Sequence, residues 1–168
     1  MGNAIKNALI HGRGKGPNIM IVGPVNCGKT FILKPLCDIF NTFVNPACGT
    51  FSWVGVEEAE IIFLNDFRWS ERIIPWQDLL RLLEGDKIHI PTVKTHFAQD
   101  IILEKDTPIF CTGPSRIRKF SRDGDANKVE SEMMEVRWKV IIFFHQLRSA
   151  DVMDVSSCPK CFANLVLE

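Results

Sequence analysis

The order of apolar and polar segments predicts an α/β fold: a mostly parallel sheet with helices on its faces. Three observations support this. Short apolar runs at 18–22, 60–64, 108–112 and 137–144 have the length and composition of buried strands. Helical patterns at 29–40, 75–84 and 128–135 alternate with them. The first run also flows directly into a glycine-containing turn that opens a helix.

Residues 1–17 carry Lys6, Arg13 and Lys15 among Gly12, Gly14 and Gly16, and read as a basic, flexible linker. The first strand follows at 18–22. The helix at 29–40 contains Pro35, which removes one backbone donor and is expected to kink or shorten it. A turn is expected at 45–49 and a short strand at 50–54. The strand at 60–64 ends at Asn65-Asp66. In the helix at 75–84, Pro75 stands near the start, and Leu79, Leu80, Leu82 and Leu83 form the apolar side. Residues 87–90 and 97–103 alternate apolar and polar positions around a turn at 91–96, which predicts a β-hairpin. A strand at 108–112, a polar loop at 121–127, the helix at 128–135 and the last strand complete the domain, 18–147. A tail at 148–168 carries Cys158-Pro159-Lys160-Cys161.

The turn after the first strand reads Gly23-Pro24-Val25-Asn26-Cys27-Gly28-Lys29-Thr30, which fits the phosphate-binding pattern G-x-x-x-x-G-K-[ST] in its strand-to-helix context. The residue types suit the chemistry. Gly23 and Gly28 let the backbone bend until N–H groups, with those of Asn26 and Cys27 among them, point at phosphate oxygens. Lys29 reaches the terminal phosphates as a point charge. Thr30 offers a hydroxyl to Mg²⁺, and the following helix directs its positive end at the same place. Hydrolysis needs an acid at the end of a neighbouring strand, and Asp66, preceded by Asn65, ends such a strand. A strand-end Asp also serves as a turn former, and that reading stays open.

The chain has 168 residues, 46% of them hydrophobic, which is enough for a single-domain core. Twenty basic and twenty acidic residues give zero net charge, against a broad basic surface of the kind that coats duplex DNA. The six cysteines include one in the turn and one in an apolar strand; this is no disulfide framework, and it fits a reducing compartment. No apolar run has the length of a membrane span and residues 1–10 lack a signal-peptide core. The expected location is intracellular, and nuclear in a eukaryotic or viral setting.

The 23–30 motif, Leu64-Asn65-Asp66-Phe67 and Pro75-Trp76-Gln77-Asp78-Leu79-Leu80 together resemble the superfamily 3 helicase domain, over roughly residues 18–145. That domain occurs in Rep proteins of small circular single-stranded DNA viruses and in parvoviral replication proteins. The resemblance implies a P-loop NTPase fold of AAA+-like type, a three-layer sandwich with a β-hairpin insertion. It implies ATP and Mg²⁺ at the 23–30 loop, with Lys29 and Asp66 in catalysis, and a homo-oligomeric ring, a hexamer, that draws single-stranded DNA through its pore. The hairpin of that family grips DNA phosphates, a role that falls on Lys94, with His96 as a weaker contact; an ordinary solvated turn lysine is the other reading. Where the family carries a polar sensor, typically Asn, this chain has Gly113, and Thr112 or Ser115 would supply a hydroxyl instead. Arg137 matches the arginine that reaches into a neighbour's nucleotide. An ion pair with Glu132 or Glu135 is its alternative reading, and Arg116, Arg118 and Arg122 are the fallback fingers.

Cys158 and Cys161 have zinc-ligand spacing; a structural zinc site needs four ligands, and only His145 offers itself as a third. Trp53, Trp69, Trp76 and Trp138 read as packing residues, with base stacking as the alternative. Asn65 and Gly113 keep a second function in view, a nucleotide-binding assembly module that has lost hydrolysis. A third is a different phosphate-loop enzyme, such as a small-molecule kinase.

Overall fold

Strand residues that are apolar on both sides need cover on both faces, and every position of the two strands Ile19–Val22 and Ile61–Leu64 is buried. The computed structural model describes residues 1–44, 53–90, 100–121, 123–148 and 156–168. Its elements are α1 (Gly2–His11), β1 (Ile19–Val22), α2 (Lys29–Ile39), β2 (Thr42–Val44), β3 (Ile61–Leu64), α3 (Trp76–Glu84), β4 (Ile88–Ile90), β5 (Ile101–Leu103), β6 (Ile109–Gly113), α4 (Lys128–Glu135), β7 (Lys139–Ile142) and α5 (Pro159–Leu167).

Five strands form one sheet in the order β2-β3-β6-β1-β7, and each neighbouring pair is parallel. β1 lies between β6 and β7, with Ile19 opposite Phe110 on one side and Lys139 on the other. β4 and β5 form a separate antiparallel pair, with Ile88 opposite Leu103.

Alternation along the strands separates two cores. Ile19, Ile21, Ile61, Phe63 and Phe110 face a layer of α1, α2 and α5 through Ile5, Ala8, Leu33, Leu36, Phe162 and Val166. Met20, Val22, Ile62, Leu64, Ile109 and Cys111 face α3, the β4–β5 pair and Met134 of α4. In α3, Trp76, Leu79, Leu80, Leu82 and Leu83 are all buried, and each such side chain is worth about 1.5–3 kcal/mol of transfer free energy. Gly85, at φ 87°, ends α3 with its N–H bonded to the Arg81 and Leu82 carbonyls, the left-handed cap that glycine adopts without a Cβ clash.

Four expectations change. Residues 1–17 do more than link: α1 buries Ile5 and Ala8 completely. Arg13, 3% exposed, donates to the carbonyls of Lys105, Leu82, Asp86 and Leu103, stapling the segment to α3 and β5. The tail is also built in, because α5 packs against α1 and α2. α2 runs through Pro35 to Ile39. Its proline is buried, so packing holds the helix across the missing bond. The described part of the strand expected at 50–54 is a turn, and the edge strand is β2, paired to β3. Most of that predicted strand, and the turn at 45–49, lie outside the described residues.

Candidate functional site

Adjacent parallel strands β1 and β6 lead into helices on opposite faces, α2 into one core and α4 into the other. Such a switch in direction opens a crevice at the carboxyl ends of the strands, and the 23–30 loop, Asn65, Asp66 and Thr112 meet there.

The 23–30 loop leaves β1 at Gly23, whose N–H bonds to the Gly113 carbonyl at 3.3 Å. A Cβ at Gly23 would lie 2.5 Å from the Phe143 carbonyl oxygen, so only glycine fits. Asn26 (φ 59°) and Gly28 (φ 84°) are both left-handed, which curls the loop before α2 begins. The Leu147 N–H bonds to the Asn26 carbonyl at 2.8 Å, laying the chain after β7 over the loop. Cys27 is buried beneath it. Lys29 folds back on the loop, its Nζ donating to the carbonyls of Gly23 (2.9 Å) and Pro24 (2.6 Å), with Cys27 Sγ at 3.5 Å.

Asn65 is the hub of the crevice. Its Oδ1 accepts from the Thr30 hydroxyl at 2.8 Å and from the Thr112 hydroxyl at 3.0 Å. The Thr112 oxygen in turn accepts from the Asp66 N–H at 2.8 Å. Three segments distant in sequence, at the start of α2 and the ends of β3 and β6, are thereby tied through one amide. Asp66 is exposed and holds a left-handed backbone (φ 47°), which aspartate tolerates better than most residues. Its charge, after the larger effect of complete burial, helps raise the Cys111 thiol far above the ordinary range, so that thiol stays protonated. The oxygens of Thr30 and Asp66 are hard donors of the kind a magnesium ion takes. Thr112 is fully buried with its hydroxyl spent on Asn65. At Gly113 an added Cβ would find ordinary contacts of 3.4 Å and longer, so the glycine is not forced by packing.

Arg137 departs from its expected place. It is 5% exposed, and its Nη2 bonds to Glu84 at 2.6 Å, tying β7's approach to the end of α3. A second guanidinium bond goes to the Met133 carbonyl. A group so enclosed is not presented to a neighbouring chain, and its acid partner is neither Glu132 nor Glu135. Glu135 pairs with Arg116 instead. Arg118 is exposed. Lys94, His96 and Arg122 lie outside the described residues. Cys158 and Cys161 are exposed at the start of α5. Among the described residues no three His, Cys, Asp or Glu side chains gather as a metal cluster. Trp53, Trp76 and Trp138 are buried, as packing residues should be.

The linear reading did not single out Arg68. With Phe67, Trp69, Arg116, Arg118 and Phe120 it lines a cleft of about 430 Å³. Phe67 is bound through its N–H to the Thr112 carbonyl. The signal was present: Phe67-Arg68-Trp69 directly follows Asp66.

No family model matches the sequence, and no curated protein matches it. Among solved structures, a crystal structure of JCV helicase bound to an N-phenylacetamide compound is similar over 85% of this chain and 44% of that one, with a TM-score of 0.52 and 14% identity. The fold is helicase-like. A second structure of JCV helicase is matched at a TM-score of 0.45 and 14% identity, over 86% of this chain and 44% of that chain. The chain therefore spans less than half the length of these helicases. No described helix is long and apolar enough to cross a membrane.

Proposed function

We propose that this chain is an ATP-binding and ATP-hydrolysing domain of the superfamily 3 helicase type, acting on single-stranded DNA as a homo-oligomeric ring. The observation that carries the reading is the convergence of the 23–30 loop with Asn65, Asp66 and Thr112 at a strand-end crevice of a helicase-like fold. Lys29 would exchange the Gly23 and Pro24 carbonyls for terminal phosphate oxygens, which bind an ammonium more strongly. Thr30 and Asp66 would hold magnesium, which neutralises phosphate charge when bound. Asp66, exposed beside the crevice, would orient the attacking water. With Arg137 enclosed, Arg116, Arg118 and Arg122 remain the proposed arginines for a neighbour's nucleotide. Lys94 and His96 remain the proposed DNA contacts.

Steady-state ATP hydrolysis by the wild type and Lys29→Ala, with and without single-stranded DNA, tests this. A DNA-stimulated rate that falls at least about a hundredfold in Lys29→Ala is expected. A rate equal to the Lys29→Ala background under every condition overturns it.

A second reading has its own observation. The hub at the strand end is a neutral amide, so one metal-binding charge is missing beside Asp66. A nucleotide-binding assembly module without turnover would bind ATP and release no ADP with DNA present.

A further inference from the structure

Among the described residues outside the crevice, the densest nucleophilic chemistry is a pair of thiols on the first turn of α5. Cys158 is the N-cap and Cys161 the third helical residue, with Pro159 between them at the first helical position. Pro159 has no N–H to offer, so the free amides of that turn belong to Lys160 and Cys161. The Cys161 N–H donates to Cys158 Sγ at 3.3 Å. Both side chains are exposed. An apolar cleft of about 380 Å³, walled by Phe31, Ile32 and Pro35 of α2 and by Phe162 and Leu165 of α5, opens beside both sulfurs. A structural cysteine is ordinarily buried and inert, whereas a reactive one is accessible and faces donors. These two meet the second description, and two adjacent ligands alone do not make a structural zinc site.

We propose that Cys158 and Cys161 form a thiol–disulfide exchange site that takes small-molecule disulfides of the glutathione class as co-reactant. Cys158, as thiolate, attacks one sulfur of the disulfide; that S–S bond breaks, and one thiolate leaves and takes up a proton. Cys161 then loses its proton and attacks the Cys158 sulfur of the mixed disulfide, releasing the second thiol. The protein dithiol is oxidised by two electrons to an intramolecular disulfide, and the small disulfide is reduced to two thiols. The division of labour follows from the turn. Cys158 accepts from the Cys161 thiol and then from the Cys161 and Lys160 amides, which holds its pKa below the ordinary thiol range. Cys161, donor to that thiolate, is held above it.

Cys37 is an internal reference: it is exposed on α2, and partial burial raises its pKa. The test equilibrates the full chain in graded mixtures of glutathione and glutathione disulfide, quenches with N-ethylmaleimide and maps the cysteine peptides by mass. The 158–161 peptide is expected to lose both alkylation sites, and two hydrogens, over a defined range of ratios while Cys37 stays alkylatable. In Cys161→Ser the resolving step is absent, so a glutathione adduct should accumulate on Cys158, forming about tenfold faster than on Cys37. Circular dichroism of the variant checks that the fold is retained. If both cysteines stay alkylatable at every ratio, or if Cys158 in the variant reacts no faster than Cys37, the exchange site is overturned.

Discussion

Asn65 decides the chemistry available at the crevice. Its amide oxygen satisfies two hydroxyl donors at once, and a carboxylate could accept the same two bonds while adding a charge for a divalent cation. Asn65→Asp is therefore expected to keep the geometry and to make the protein's melting temperature rise with millimolar Mg²⁺, which stabilises the native state only where it binds it. Under the proposed function, ATP hydrolysis should rise roughly tenfold, read in the same ATPase assay. Gly23 is constrained differently. Gly23→Ala places a methyl 2.5 Å from the Phe143 carbonyl oxygen, and forcing the loop outward should cost about 1–3 kcal/mol, measured by urea unfolding. The need for a glycine here was legible in the motif. The group that imposes it, a carbonyl from beyond β7, was not.

Whole elements show where linear pattern and packing part company. The buried runs of β1, β3 and β6 and the leucine face of α3 were legible because hydrophobic periodicity and burial have the same cause. Residues 1–17 were read as a linker because of Lys6, Arg13, Lys15, Gly12, Gly14 and Gly16, and all of these except Lys6 lie after α1. Yet Ile5 and Ala8, one helical turn apart, are the residues that pack against α5 and β1. Ile5→Ala should destabilise the chain by about 2–5 kcal/mol through the cavity it leaves. Ile10→Ala, at a site 67% exposed on the same helix, should cost less than about 0.5 kcal/mol. Equal effects in thermal unfolding would mean that α1 does not dock. β2 was missed because three residues give too short an alternation to read; its identity comes from pairing with β3.

At the scale of the molecule, the strand order puts the 23–30 loop, Asn65-Asp66 and Thr112 at the carboxyl ends of the three central strands, and the arginine-lined cleft is walled by the segments that follow β3 and β6. If Arg118 serves a neighbour's nucleotide, turnover per chain must depend on assembly. The specific ATPase rate should then rise with protein concentration until rings are complete, and Arg118→Ala should flatten that rise without weakening ATP binding. Parallel sedimentation and rate measurements over the same concentrations check this.

The chain order alone set the α/β class, the parallel sheet, the strand-to-helix position of the 23–30 motif and the acid at the end of β3. All of these rest on spacings within a few residues, where strand and helix geometry is rigid. Folding in three dimensions assigned the partners. Arg137 was placed with Glu84 rather than at a surface, Arg13 was drawn under α3 and β5, Asn65 was given two hydroxyl donors, and α1 and α5 became one layer with α2. A buried polar group must bond to whatever the fold brings within about 3 Å of it, and that neighbour comes from a distant part of the chain that local spacing does not encode.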